Sequence, residues 1–95
     1  MKTQMTLSPR LAAVAACIPQ GSRLADIGTD HGRIPVWCVL HHVTSSTAAS
    51  DIRELPLQRA RLTAEAYGVS NQIRFILAPG LAGLKAGEAD AVVMA

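Results

Sequence analysis

"RLADIGTDHGRIPVW", residues 23–37, passes from an apolar run through two glycines into residues with the spacing of a helix. Residues 23–28 are short, apolar and closed by glycine, which predicts a strand. Residues 32–42 follow as a predicted helix with Ile34, Trp37, Cys38 and Val39 turned inward. Pro35 confines its start to residues 33–35, because proline is tolerated in a first helical turn and not further in. Gly28 has no Cβ, so its main chain can approach a ligand, and Gly32 permits the turn into the helix. The helix start adds free N–H groups and the positive end of the helix dipole.

Working outward, Leu7, Leu11, Val14 and Ile18 form one helical stripe. With Ser8 as N-cap and Pro9 at the first helical position, they predict a helix over 9–18, closed by Pro19 and Gly21. Downstream, "TAASDI" (47–52) reads as a strand of small residues ending near Asp51. "ELPLQRARLTAEAYGV" (54–69) reads as a helix with Leu57, Ala60, Arg61 and Ala64 at helical spacing, and Gly68 stops it. "QIRFIL" (72–77) alternates and is β-branched, predicting a third strand. A short helix or turn at 80–87 then leads to "ADAVVMA" (89–95), an apolar fourth strand. Strands alternating with helices imply parallel pairing through right-handed crossovers. The expected fold is a partial, doubly wound α/β sheet of about four parallel strands in the order 3-2-1-4, preceded by an N-terminal helix.

Ninety-five residues allow one small domain with a thin core. Hydrophobic residues make up 49% and charged ones 17%, which excludes a disordered chain. The net charge is only +2, and the seven arginines among nine basic residues form no run, so composition alone gives no nucleic-acid signature. It permits an anionic partner. Cys17 and Cys38 lie in separate apolar patterns without a CxxC or a metal-spaced histidine pair, so both read as buried free thiols and no metal is expected. The N-terminus lacks the pattern of a secretory signal, and no apolar run reaches the roughly 18–20 residues that span a bilayer. A cytoplasmic setting away from membranes is the expectation.

Ligands of doubly wound sheets sit beyond the carboxyl ends of the strands, where the strand order reverses. A dinucleotide site would show G-x-G-x-x-G; here the spacing is Gly28-x-x-x-Gly32, with Asp26 and Asp30 beside it. Two carboxylates repel a pyrophosphate and suit a ligand with cationic centres, which points toward S-adenosylmethionine. Asp51, at the end of the second strand, is placed to accept the hydroxyl hydrogens of a ribose. The alternative is an exposed aspartate capping the next helix.

"LSPRLAAVAACIPQGSRLADIGTDHGRIPVW", "SDI" and "GEADAVVMA" resemble the amino-terminal part of the bacterial tRNA (adenine-N1)-methyltransferase family acting on adenine 22. The motifs are Leu-Ser-x-Arg-Leu, Ile-Pro-x-Gly and Asp-Ile-Gly-Thr-Asp-His, and the likeness covers essentially the whole chain. The resemblance implies a Rossmann-like methyltransferase domain, S-adenosyl-L-methionine as cofactor and tRNA as partner. It places Asp26, Gly28 and Thr29 at the methionine end of the cofactor, and Asp51 and Ile52 at its ribose and adenine. Asp30 and His31 fall at the mouth near the transferred methyl, and Arg10 faces the same cleft as a substrate contact.

Asp30 would then stabilise charge developing on adenine N1 or take the N6 proton, a role His31 can also fill near neutral pH. Both residues can equally be caps of the following helix. His41 and His42 read as partners of a helix carboxyl terminus, Trp37 as a core residue, and Arg53, Arg59, Arg61 and Arg74 as solvated. Where the family has Gly-Asp-Gly-Leu after the third strand, this chain reads Ala78-Pro79-Gly80-Leu81. Proline supplies neither the acceptor nor an N–H. The family continues with Gly-Met-Gly-Gly and a helical domain, whereas this sequence closes at Ala95, so residues 1–95 read as the amino-terminal half of such a domain. The alternative reading is a non-catalytic relic that binds S-adenosylmethionine or a nucleotide. The fourth strand is apolar and uncharged, which predicts self-association through an open sheet edge.

Overall fold

The structure is a computed structural model and describes residues 2–94. Ser8 caps α1 (Pro9–Ala16), its Oγ accepting the Leu11 N–H at 3.3 Å, with Pro9 inside the first turn. The chain then forms β1 (Ser22–Ile27), α2 (Arg33–Leu40), β2 (Thr44–Asp51), α3 (Glu54–Ala66), a turn of 3₁₀ helix at Ser70–Gln72, β3 (Arg74–Leu77) and β4 (Ala91–Val93). The strands are parallel and lie in the order β3-β2-β1-β4, as the alternation predicts.

Several boundaries differ from the sequence reading for local reasons. β2 begins at Thr44, because Ser22 of β1 pairs with Thr44 and draws polar residues into the ladder. Residues 72 and 73 precede β3, since the chain leaves α3 through the left-handed Gly68 (φ 71°) and the 3₁₀ turn first. Of the helix or turn expected at residues 80–87 the chain forms turns, and β4 holds only residues 91–93. Ala95, at the end of the expected fourth strand, lies outside the described residues.

Two apolar clusters fill the interior. Val36, Val39, Ala49, Ala64, Val69 and Ile73 join α2, α3 and β2, with Met5 of the leading segment buried among them. Ala15, Ile18, Leu24, Ile34, Cys38 and Val93 join α1, α2 and the sheet beside β4. Burying a residue such as Leu24 is worth about 1.5–3 kcal/mol. Trp37 packs at the seam of both clusters, as expected of a core residue, and stacks on His41 with ring centroids 4.2 Å apart. His41 is thus a stacking partner as well as the residue that ends α2, and His42 adopts a left-handed φ of 55°.

Cys38 is buried as read, but Cys17 is exposed. It follows the last turn of α1 and lines a groove of about 470 Å³ beside β4, with Val14, Ile18 and Met94. Arg61 is also exposed, its guanidinium 5.5 Å above the Phe75 ring. Arg53 and Arg74 are exposed yet paired, with Asp51 and Glu88, rather than simply solvated.

Right-handed crossovers put α2 and α3 on one face of the sheet. The β3–β4 connection reverses direction and crosses the other face. There Gly83 lies so close to Ile76 that a Cβ would overlap the Ile76 Cγ2. Gly32 is also doubly constrained. Its φ is 68°, and a Cβ there would stand 2.9 Å from the Ala60 Cβ of α3.

Candidate functional site

The carboxyl ends of β1, β2 and β3 reach the same rim of the sheet, since Ile27 pairs with Ser50 and Asp51 with Leu77. Ser50 ties the loops leaving those ends together. Its carbonyl accepts the N–H groups of Gly28 (2.8 Å) and Thr29 (3.1 Å). Its buried hydroxyl reaches the carbonyls of Gly80 (3.3 Å) and Ala78 (3.4 Å). The Ala78 N–H donates to the Asp51 carbonyl at 3.1 Å, which holds the loop carrying Pro79 against the end of β2.

A cavity of about 250 Å³ opens at the end of β1, between α1 and α2. Six of the residues singled out in the sequence line it together: Arg10, Asp26, Gly28, Thr29, Asp30 and His31. The structure adds Leu11, Arg33 and Ile34 to the wall. In sequence Leu11 and Ile34 mark only core-facing helical positions. Arg33 marks in sequence only the start of a helix, and its place directly after a glycine turn is the signal that points to the site. Asp51 and Ile52 stand outside this wall, one strand over, at the end of β2.

Asp26 forms the buried floor. The Thr29 hydroxyl donates to its Oδ2 at 2.9 Å, fixing the carboxyl across the turn. Burial pushes the Asp26 carboxyl up to about 6; the Thr29 hydrogen bond pulls against this, and the nearby Asp51 charge adds to it. A cation entering the cavity would favour the ionised form. Gly28 adopts φ 71°, and a Cβ there would meet nothing within 4 Å, so bare main chain faces open space.

Asp30 holds a left-handed φ of 51° and leaves its side chain exposed, with its Oδ2 3.9 Å from the His31 Nε2. Among the described residues no side chain caps the start of α2, so neither residue performs the capping role left open by the sequence.

Asp51 is almost fully buried, unlike the exposed cap of the alternative reading. Its Oδ1 accepts the Arg53 main-chain N–H at 2.9 Å and faces the Arg53 Nε at 3.4 Å, so it does shape the turn before α3. Its Oδ2 is buried and has no hydrogen-bond partner among the described residues. A buried carboxylate oxygen without a donor is costly, and a hydroxyl-bearing ligand satisfies it. Ile52 beside it is 66% exposed, an apolar side chain presented to solvent.

Chemically, the arrangement offers a buried anionic floor, a free carboxylate oxygen, an exposed apolar side chain and an exposed Asp–His pair. Among the described residues no group of three potential ligands is placed to hold a metal ion. No helix among them is long and apolar enough to cross a membrane.

Residues 7–95 match the family model described as a methyltransferase domain. The chain is 39% identical over 92 residues to the tRNA (adenine(22)-N(1))-methyltransferase of Bacillus subtilis, an alignment covering 97% of this chain and 39% of that protein. TrmK of M. capricolum, solved with S-adenosyl-homocysteine, superposes with a TM-score of 0.85 at 38% identity, over 95% of this chain and 41% of that one. Sp1610 of Streptococcus pneumoniae, solved with S-adenosyl-L-methionine, superposes at 0.88 and 33% identity, over 95% of this chain and 42% of that one. The chain therefore spans about two fifths of these relatives. With the parallel sheet, the open glycine turn and a model matched along nearly its whole length, the chain belongs to the methyltransferase-domain family.

Proposed function

We propose that residues 1–95 are the cofactor-binding part of an S-adenosylmethionine-dependent methyltransferase that acts on N1 of an adenine in tRNA. The observation carrying this reading is the pair of buried carboxylates at adjoining strand ends: Asp26, set to favour a cation, and Asp51, with one oxygen lacking a donor among the described residues. The residues fit the cofactor. Asp51 Oδ2 would accept a ribose hydroxyl, and Ile52 would cover one face of the adenine. Asp26 and the main chain at Gly28 and Thr29 would meet the cationic methionine end. Bound S-adenosylmethionine supplies an electrophilic methyl group on a sulfonium.

The chain's own part in the reaction is positioning and charge. Adenine N1 is neutral before transfer and bears positive charge after it, so the exposed Asp30 carboxylate would stabilise that charge. Asp30 or His31 would then receive the N6 proton. The left-handed Asp30 is consistent with such a role, since strained backbone clusters at functional sites. Arg10 would contact the acceptor from α1. The tRNA-modifying relative supports tRNA as the partner, and the free thiols Cys38 and Cys17 fit a cytoplasmic setting. We place self-association at β4, the outermost strand among the described residues, where Val92 is 45% exposed and Met94 just beyond it 77%.

A second reading, binding without turnover, is favoured by one feature: Pro79 stands where the family places an aspartate. Two measurements separate the readings. Calorimetric titration with S-adenosylhomocysteine is expected to show saturable binding, and its absence from folded protein would overturn both. Tritium transfer from labelled S-adenosylmethionine to an unmodified tRNA transcript, mapped to adenine N1, is expected under the first reading. Binding without transfer would select the second.

A further inference from the structure

The seven arginines divide sharply by what they touch. Arg23 pairs with Asp90 and Arg53 with Asp51, each at 3.4 Å; Arg74 pairs with Glu88, and Arg61 lies over Phe75. Among the described residues, Arg10, Arg33 and Arg59 make none of these contacts. Two of those three, Arg10 and Arg33, line the same cavity. They come from different helices, Arg10 from the first turn of α1 and Arg33 from the first position of α2. A cation in a first turn opposes the helix dipole at a cost of about 0.3–1 kcal/mol, so neither arginine serves its own helix. Both are exposed, while Asp26 below them is buried. The cavity is thus acidic at its floor, and its rim carries the two arginines beside the exposed Asp30 and His31.

The charge count says what the rim awaits. With Asp26 and Asp30 ionised, the four charged side chains Arg10, Arg33, Asp26 and Asp30 sum to zero. A bound S-adenosylmethionine brings one carboxylate, one ammonium and one sulfonium, leaving the occupied site with one net positive charge. The planar guanidinium fork matches a phosphate, and a single phosphodiester neutralises that excess.

Resting on the methyltransferase reading above, we propose that Arg10 and Arg33 form a two-helix clamp that binds a backbone phosphate of the acceptor RNA at the mouth of the cavity. Arg33 is then a substrate-positioning residue, and the clamp is strongest while the cofactor still holds its sulfonium charge.

The test uses the whole chain and an unmodified tRNA transcript, followed by fluorescence anisotropy across a salt series, with S-adenosylhomocysteine titrated separately. Arg33→Gln and Arg10→Gln are each expected to weaken tRNA binding about tenfold. Each should lower the slope of log affinity against log salt by about 0.7–0.9, the loss of one phosphate contact. Arg33→Lys should keep the slope while losing part of the affinity, and Arg59→Gln should change neither. Affinity for S-adenosylhomocysteine should stay within twofold in all four variants. Unchanged tRNA binding in Arg33→Gln, or no tRNA binding by the parent chain, overturns the clamp. So does a loss of S-adenosylhomocysteine affinity with an unchanged salt slope, because the guanidinium would then serve the ligand's own carboxylate. Failure of the parent chain to bind S-adenosylhomocysteine is read in the separate titration and counts against the methyltransferase reading itself.

Discussion

Replacing Asp51 with asparagine should weaken ligand binding without weakening the fold. Asp51 is buried at the end of β2, with Oδ1 holding the Arg53 N–H and Oδ2 lacking a donor among the described residues. An asparagine retains an oxygen for the Arg53 N–H, so the turn into α3 survives. It removes the charge, and with it the best acceptor for a ribose hydroxyl. A hydrogen bond to a charged group contributes about 1.5–3 kcal/mol, so affinity for S-adenosylhomocysteine should fall roughly 10- to 150-fold. Stability should hold or rise by up to about 1 kcal/mol, because a buried charge and its repulsion of Asp26 disappear. The lost Arg53 ion pair subtracts little, since its guanidinium is 68% exposed. Calorimetric titration gives the affinity and urea unfolding gives the stability. A 2′-deoxy analogue of the ligand should lose less than the parent ligand in the same variant. His31→Ala, at an exposed position, should cost less than Asp51→Asn. Unchanged affinity, or a loss of affinity that merely tracks a loss of stability, would refute the ribose assignment.

The Asp26 carboxyl sits at about 6 in the folded protein, above its ordinary value of 3.8, so the folded state holds a proton that the unfolded state releases first. Stability from this group is therefore full below about pH 4 and declines as pH rises through 6, by on the order of 3 kcal/mol. Asp26→Asn should flatten the urea midpoint between pH 4 and 7; an equally steep profile would exclude Asp26 as its source. For the same reason, S-adenosylmethionine should bind more tightly as pH rises through 6, with S-adenosylhomocysteine less affected. Gly32→Ala meets both a left-handed backbone and the Ala60 Cβ and main chain, and should destabilise by about 2 kcal/mol or more in urea unfolding. Val92→Lys places a charge on the outer edge of β4 and should shift sedimentation velocity toward monomer; an unchanged profile would exclude that edge from self-association.

The fold was written into the order of residues. Ser8-Pro9, the glycine turn and the alternation of periodicities are local signals, and local signals fix α1, β1, α2 and a parallel sheet without knowledge of distant contacts. The resemblance of the Leu-Ser-x-Arg-Leu and Asp-Ile-Gly-Thr-Asp-His stretches to a known family marked six residues that the structure gathers around one cavity. Where pairing between distant strands decides, sequence was mute: β2 extends back to Thr44 only because Ser22 lies beside it. Burial is equally non-local. Cys17 and Cys38 look alike in sequence, yet one lines an open groove and the other is sealed, because only α2 lies against the sheet with helices on its flanks. Nor does any pattern in the chain reveal that Asp51 Oδ2 lacks a donor among the described residues, or that Arg10 and Arg33 line one cavity from two helices. Those facts depend on which groups the packing brings together, and packing acts across the whole molecule at once.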